Sequence, residues 1–305
     1  MEDTRVLVTG GGGFIGANLA NKLAENNEVV ALDDGYLGTP ENVSEDVEYV
    51  ERSVLDDDLP TDVDVVFHLA ALSSYAMHED NPTHGARVNV EGFVNTVEQA
   101  RDDGCDTVVY ASTSSIYGSR TEPSPEDMDV TVNTGYEASK MARETYAEYF
   151  QNHYDLTLAG MRFFSVYQGY GGAEEHKGEY ANVIAQFADD LSNGDAPKLY
   201  GDGEQTRDFT HVDDIVRGLV LAAEHELNGV YNLGTGEAYD FNTVVEMLND
   251  ELGTDIEPEY VENPIPGDVY VHDTCADFSK MHEATGWEPE ISFEEGIELV
   301  CAPYT

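Results

Sequence analysis

Between Arg5 and Asp34 the chain runs through a strand, a glycine turn, a helix, a second strand and an acid. Arg5 to Thr9 is short and rich in β-branched residues, as a strand requires. Gly10-Gly-Gly-Gly-Phe-Ile-Gly16 follows, then an amphipathic stretch from Ala17 to about Asn26 that predicts a helix. Val29 to Leu32 is the second strand, ending in Asp33-Asp34. The glycines fit Gly-x-x-Gly-x-x-Gly at Gly10, Gly13 and Gly16, and Gly-x-Gly-x-x-Gly at Gly11, Gly13 and Gly16. Such a turn lets a pyrophosphate approach the backbone at a helix N-terminus. Asp33 lies about twenty residues further on, where a carboxylate bonds ribose hydroxyls. A carboxylate there repels a 2′-phosphate, and no Arg follows it, so NAD is expected rather than NADP. Glycines alone predict only a loose turn; the flanking strand, helix and acid make this a dinucleotide site.

The α/β alternation continues. Strands are expected at Val47 to Val50, Asp62 to Leu69, Thr107 to Ala111 and Leu156 to Phe164. Helices are expected from about Pro82 to Asp103 and from Tyr136 to about His153. The fold class predicted is a Rossmann-type doubly wound parallel sheet with a smaller α/β lobe. Residues 1–165 form the NAD-binding domain, 208–233 return to it, and 166–305 are mainly a substrate-binding lobe over the sheet's carboxyl edge.

A second constellation lies between Tyr110 and Lys140. Tyr136 and Lys140 are at i and i+4, one turn apart on one helix face. An ammonium beside a phenol favours phenolate and lowers its pKa, so the phenol can act as a base near neutral pH. Thr113 follows the Thr107 to Ala111 strand, where open α/β sheets present catalytic groups. Its hydroxyl can hold a substrate oxygen against the phenol. A lone Tyr-x-x-x-Lys more often marks a solvated helix face; beside the dinucleotide turn it predicts catalysis.

Composition excludes several classes. The 305 residues carry 62 acids against 14 Lys and Arg, a net charge of −48, spread along the whole length. Nucleic acid and anionic membrane should be repelled. Dispersed acid with so little Lys predicts adaptation to high salt, where self-repulsion is screened. With 41% hydrophobic residues a proper core can form. No apolar run approaches a membrane span and no secretory leader precedes the first strand, so a cytoplasmic location is expected. Cys105, Cys275 and Cys301 have no disulfide or metal-site spacing, and neither do the nine His.

The chain resembles the extended short-chain dehydrogenase/reductases, in their nucleotide-sugar epimerase/dehydratase branch, and the UDP-glucose 4-epimerase-like group in particular. The likeness spans nearly the whole chain. It rests on Thr9 to Gly16, Phe67-His-Leu-Ala-Ala71, Asn89-Val-Glu-Gly92, Ser112-Thr-Ser-Ser-Ile-Tyr-Gly118, Tyr136-x-x-x-Lys140, Gly201-Asp-Gly-Glu-Gln-Thr-Arg-Asp-Phe209, Val212-Asp-Asp214 and Asn232-Leu-Gly-Thr235.

The resemblance implies roles. Gly10, Gly13, Phe14, Ile15 and Gly16 hold the pyrophosphate, and Asp33 the adenosine ribose. Leu69, Ala70 and Ala71 line the cofactor, and Asn89 buttresses it. Thr113 and Tyr136 take the substrate hydroxyl, and Lys140 bonds the nicotinamide ribose. Arg207 and Asp268 match positions that hold the sugar nucleotide, and Tyr200 packs near its base. Departures accompany these matches. Ser114-Ser115 replaces the Asp-Glu pair of 4,6-dehydratases. Ser165 stands where many UDP-sugar epimerases have an Asn on the diphosphate, Ile265 where many have an Arg, and Ser53 where an Asp often touches adenine. The expectation is an NAD-dependent nucleotide-sugar 4-epimerase, a homodimer in the manner of the family. A sister dehydratase, decarboxylase or dehydrogenase, or a non-catalytic NAD-sensing module, remains open, as does the nucleotide carrier.

Overall fold

Seven parallel strands form one sheet in the computed structural model, which describes residues 1–79, 81–267 and 269–305. They are β1 (Arg5–Thr9), β2 (Glu28–Asp33), β3 (Glu48–Glu51), β4 (Val65–His68), β5 (Thr107–Ala111), β6 (Thr157–Phe163) and β7 (Gly229–Leu233). The spatial order is β7-β6-β5-β4-β1-β2-β3. The chain therefore starts mid-sheet, winds out to β3, then crosses to the other side of β1. Between β1 and β4, paired Thr9 to His68, the winding reverses. At their carboxyl ends a cleft opens, as the topology dictates.

The main helices are α1 (Phe14–Leu23), α2 (Gly92–Asp103), α3 (Gly135–Tyr154), α4 (Val183–Asn193), α5 (Val212–Glu224), α6 (Phe241–Leu252) and α7 (Phe293–Cys301). Alternate strand residues serve opposite faces. Val6, Val8, Phe67 and Met161 pack under α1 and α5 with Leu19, Leu219, Met281 and Trp287. Leu7, Val66, Val108 and Leu158 pack under α2 and α3 with Phe93, Val97 and Phe150. Both faces are covered, which explains why these strands read as near-continuous apolar runs. A separate cluster, with Phe187, Leu199, Phe209, Phe241 and Phe293, joins α4, α6 and α7 into the small lobe. Asp208 fastens that lobe. Its buried carboxylate accepts N–H bonds from Thr235, Gly236 and Ala276 at 2.7, 2.9 and 2.9 Å.

Two helix starts position the site. α1 begins at Phe14, earlier than the predicted Ala17, with Gly13 as its N-cap. Gly16, a poor helix former in the first turn, hides this start from periodicity. α3 opens with a capping box: Thr134 Oγ1 accepts from Glu137 N at 3.1 Å, and Glu137 Oε2 accepts from Thr134 N at 3.3 Å. This places Tyr136 in the first turn. The helix expected from Pro82 to Asp103 is interrupted: Pro82–Ala86 leads into a π turn, Arg87–Glu91, before α2. The extra residue of that turn aims Asn89 inward. The three cysteines are buried and free. No helix among the described residues is long and apolar enough to cross a membrane.

Candidate active site

The cleft over the switch point is lined by Gly10, Gly13, Phe14, Ile15, Gly16, Asp33, Leu69, Ala70, Ala71, Tyr136 and Lys140, with Leu37, Arg52, Leu72 and Lys177 among the others. The sequence motifs therefore converge on one place. Gly10 has φ +71°, and a Cβ there would lie 2.7 Å from Ala70 N; at Gly16 it would lie 2.0 Å from Gly10 O. Both glycines are fixed by packing inside the turn. Among the described residues no side chain caps α1 and no acid lies in its first turn, so the N–H groups of that turn are left to bind an anion. Asp33, 7% exposed, accepts from Gly12 N at 3.1 Å and Gly35 N at 2.9 Å. Burial raises its pKa, and these backbone bonds oppose the shift. An uncapped helix end, a glycine cradle and a carboxylate at the end of β2 fit a dinucleotide.

Asn89 is fully buried. Its amide nitrogen donates to Leu72 O at 3.0 Å and Ser139 Oγ at 2.9 Å, and its oxygen accepts from Leu72 N at 2.8 Å. It thus ties the loop after Ala71 to α3. Its bonds go to the scaffold, and it is not among the residues lining the cleft.

Lys140 is 2% exposed, donates to Ala111 O at 3.1 Å, and lies 5.8 Å from the centre of the Tyr136 ring. The structure corrects the expected electrostatics. Burial pushes the Tyr136 phenol up, not down; what pulls it back is a hydrogen bond from Thr113 and the charge of Arg143. Burial, with Arg143 alongside, holds the Lys140 amine well below the usual ammonium range. The permanent cation behind the phenol is Arg143. It is fully buried and donates to Asn89 O at 2.6 Å, Ala70 O at 2.7 Å and Ala111 O at 3.3 Å. Burial brings even its pKa down to about 10. Sequence reading missed Arg143, although 136, 140 and 143 fall on one helical face. His78 was also missed; its ring meets that of Tyr136 edge-on at 5.7 Å.

Thr113 is buried at the end of β5, its hydroxyl 3.0 Å from Ser115 Oγ. Beneath it, Ser112 bonds Glu144 at 2.5 Å, and Glu144 forms a buried ion pair with Arg162 at 2.7 Å.

A second cleft holds three of the expected substrate residues, Ser165, Tyr200 and Arg207, together with Asn182, Gln186, Phe241 and Tyr270. Ser165 takes a positive φ of 20°. Arg207 donates to Thr206 O, His272 O and Val271 O at 2.7, 2.8 and 2.5 Å, and its guanidinium lies 5.6 Å from both the Phe241 and Tyr270 ring centres. In this arrangement it braces the 271–272 segment. Asp268 lies outside the described residues. Asn182, Gln186 and Tyr270 carry no spacing signal that sequence reading could use.

The sequence model of the NAD dependent epimerase/dehydratase family matches residues 6–234. The chain belongs to that family. It is 36% identical to a UDP-glucose 4-epimerase of Mycolicibacterium smegmatis over 96% of each chain. It is 29% identical to UDP-glucuronic acid decarboxylase 3 of Arabidopsis thaliana, over 97% of this chain and 87% of that protein. The crystal structure of a UDP-glucose 4-epimerase with UDP-glucose from Thermotoga maritima superposes with a TM-score of 0.89 at 32% identity, covering 98% of this chain and 97% of that one. The protein is an extended short-chain dehydrogenase/reductase that uses NAD.

Proposed function

We propose that this enzyme epimerises a UDP-sugar at C4, of the glucose/galactose type, through a 4-keto sugar. The observation that carries the reading is that Tyr136 and Lys140 line the dinucleotide cleft and Thr113 hydrogen-bonds the Tyr136 phenol, with Ser114 and Ser115 where dehydratase chemistry needs an acid and a base. When bound, NAD supplies a positively charged hydride acceptor. Tyr136 takes the proton of the 4-hydroxyl as the C4 hydrogen leaves, and Thr113 orients that oxygen. Lys140 holds the ribose. Turning the 4-keto sugar in the pocket and returning hydrogen to its other face inverts C4, and Tyr136 gives the proton back. General acid–base transfer of this kind contributes about 10²–10⁴-fold in rate.

Incubation in high salt with UDP-glucose, UDP-galactose, UDP-N-acetylglucosamine and UDP-glucuronate, with isomers followed by chromatography, tests the proposal. The expected result is interconversion of 4-epimers without net NADH. Tyr136→Phe should keep NAD and lose turnover. Carbon dioxide from UDP-glucuronate, or accumulating NADH, would assign the site to a sister reaction.

A further inference from the structure

Cations are scarce here: 14 Lys and Arg among 62 acids. Among the described residues seven of the fourteen sit against a carboxylate: Arg5, Lys22, Arg52, Arg87, Arg101, Arg162 and Arg217. Lys177 does not. Among the described residues no side chain bonds its ammonium, yet it lines the cofactor cleft. Its Nζ stands 5.5 Å from the ring centre of Phe14, the first residue of α1.

The segment that carries Lys177 is built to hold it there. Glu174, fully buried, accepts N–H bonds from Gln168 at 2.7 Å, Gly169 at 2.9 Å and Asn182 at 2.7 Å. One carboxylate thus staples both ends of a strap running from 168 to 182. It is also the acid that acts on Lys177 through space, opposing the downward pull of burial. Gln168 and Asn18 exchange amide bonds at 3.1 and 2.9 Å, which fasten the strap to α1. Gly178, with φ +52°, turns the backbone immediately after Lys177, so that Glu179, Ala181 and Asn182 line the other cleft. The strap is the wall between the two clefts, with its one cation turned to the α1 side.

We propose that Lys177 binds the diphosphate of NAD, closing from above the anion site that the N-terminus of α1 forms from below. A chain of net charge −48 repels any polyanion that approaches it. The uncapped helix end offers partial positive charge, and one ammonium adds a full charge where the ligand is doubly negative. The inference concerns cofactor binding alone and is independent of which sugar is turned over.

The test is calorimetric titration of the whole chain, at fixed molar KCl, with NAD, ADP-ribose and adenosine. Lys177→Met, Lys177→Arg and the surface control Lys22→Gln are compared with the unaltered chain. NAD retained per chain after purification is a second readout. The expected result is that Lys177→Met weakens NAD and ADP-ribose by about 10- to 100-fold, the range for losing a charged hydrogen bond. Adenosine, which has no diphosphate, should bind as before, and Lys177→Arg should recover most of the loss. Unchanged NAD and ADP-ribose affinity in Lys177→Met would overturn the proposal. So would weakening of UDP alone, titrated onto the NAD-loaded protein, because it would move the contact to the sugar nucleotide's diphosphate. Equal weakening of adenosine and ADP-ribose would overturn it too, as a general disturbance of the cleft.

Discussion

Lys140 and Arg143 donate to the same oxygen, the carbonyl of Ala111, at 3.1 and 3.3 Å. Two cationic side chains on one face of α3 thus share a single buried acceptor at the end of β5. The arrangement is tolerable when only one carries a full charge, and the guanidinium keeps its proton far more readily than the amine. Arg143 is then a positioning residue: it locks the carbonyls of Ala70 and Ala111 and supplies the field that favours phenolate at Tyr136.

Arg143→Gln should lower kcat/KM by about 10-fold or more and move the acid limb of its pH profile upward, since a charge favouring phenolate is lost. Glu137 pushes the same phenol the opposite way, Thr113 pulls it down, and His78 faces it edge-on. Arg143→Lys should bring the limb part of the way back. A limb that stays in place with reduced kcat would make Arg143 purely structural.

Thr113→Val removes the other influence that lowers the Tyr136 pKa. Turnover should fall by about 10²-fold, the lower range of a lost proton-handling contact. The limb should again rise in pH. A pH-rate series on both variants and their double mutant would show whether the two effects add.

Acid should destabilise the fold in a defined window. Burial lowers the pKa of His68, His78 and His211 below the usual imidazole value. The unfolded chain therefore binds more protons than the folded one around and below pH 6.5, and stability drops as pH falls through that region, by at most about 1.4 kcal/mol per group per pH unit. The buried carboxylates Asp33, Asp208 and Glu126 have raised values, which act with the opposite sign at lower pH. Denaturant midpoints at constant high salt between pH 7.5 and 5.5 measure the first effect, and His68→Asn should flatten it.

Glu144→Gln leaves Arg162 buried without its partner, both side chains being under a tenth exposed in the ion pair. The expected loss is about 3–5 kcal/mol, read by chemical denaturation.

Association of two copies is proposed through the outer faces of α2 and α3. Tyr146 and Tyr149 on α3 are each 41% exposed, and Tyr146 lines a groove with Val90, Val94 and Asn95. Sedimentation should report a dimer, and Tyr146→Glu should shift it toward monomer.

The cofactor half was largely legible because its requirements are local. The turn at Gly10, the acid at Asp33 and the Tyr136/Lys140 spacing each follow from one stretch of chain. The charge balance around Tyr136 was not legible, because it depends on how deeply α3 is buried and on Arg143 finding three carbonyls from three different segments. Lys177 was hidden for a similar reason: its place is set by Glu174 and by Asn18, far apart in the chain. The second cleft gave the weakest signal, since Arg207 there braces the 271–272 backbone through contacts no spacing announces.

The π turn at Arg87–Glu91 carries a consequence for how this chain can change. Deleting one residue between 87 and 91 would restore an unbroken helix and improve its local geometry. It would also remove the widened turn that aims Asn89 inward. Asn89 would then swing away from Leu72 and Ser139. A shorter helix would be the more regular one and the enzyme the poorer for it, so this stretch should tolerate substitutions on its outer surface far better than any change of length.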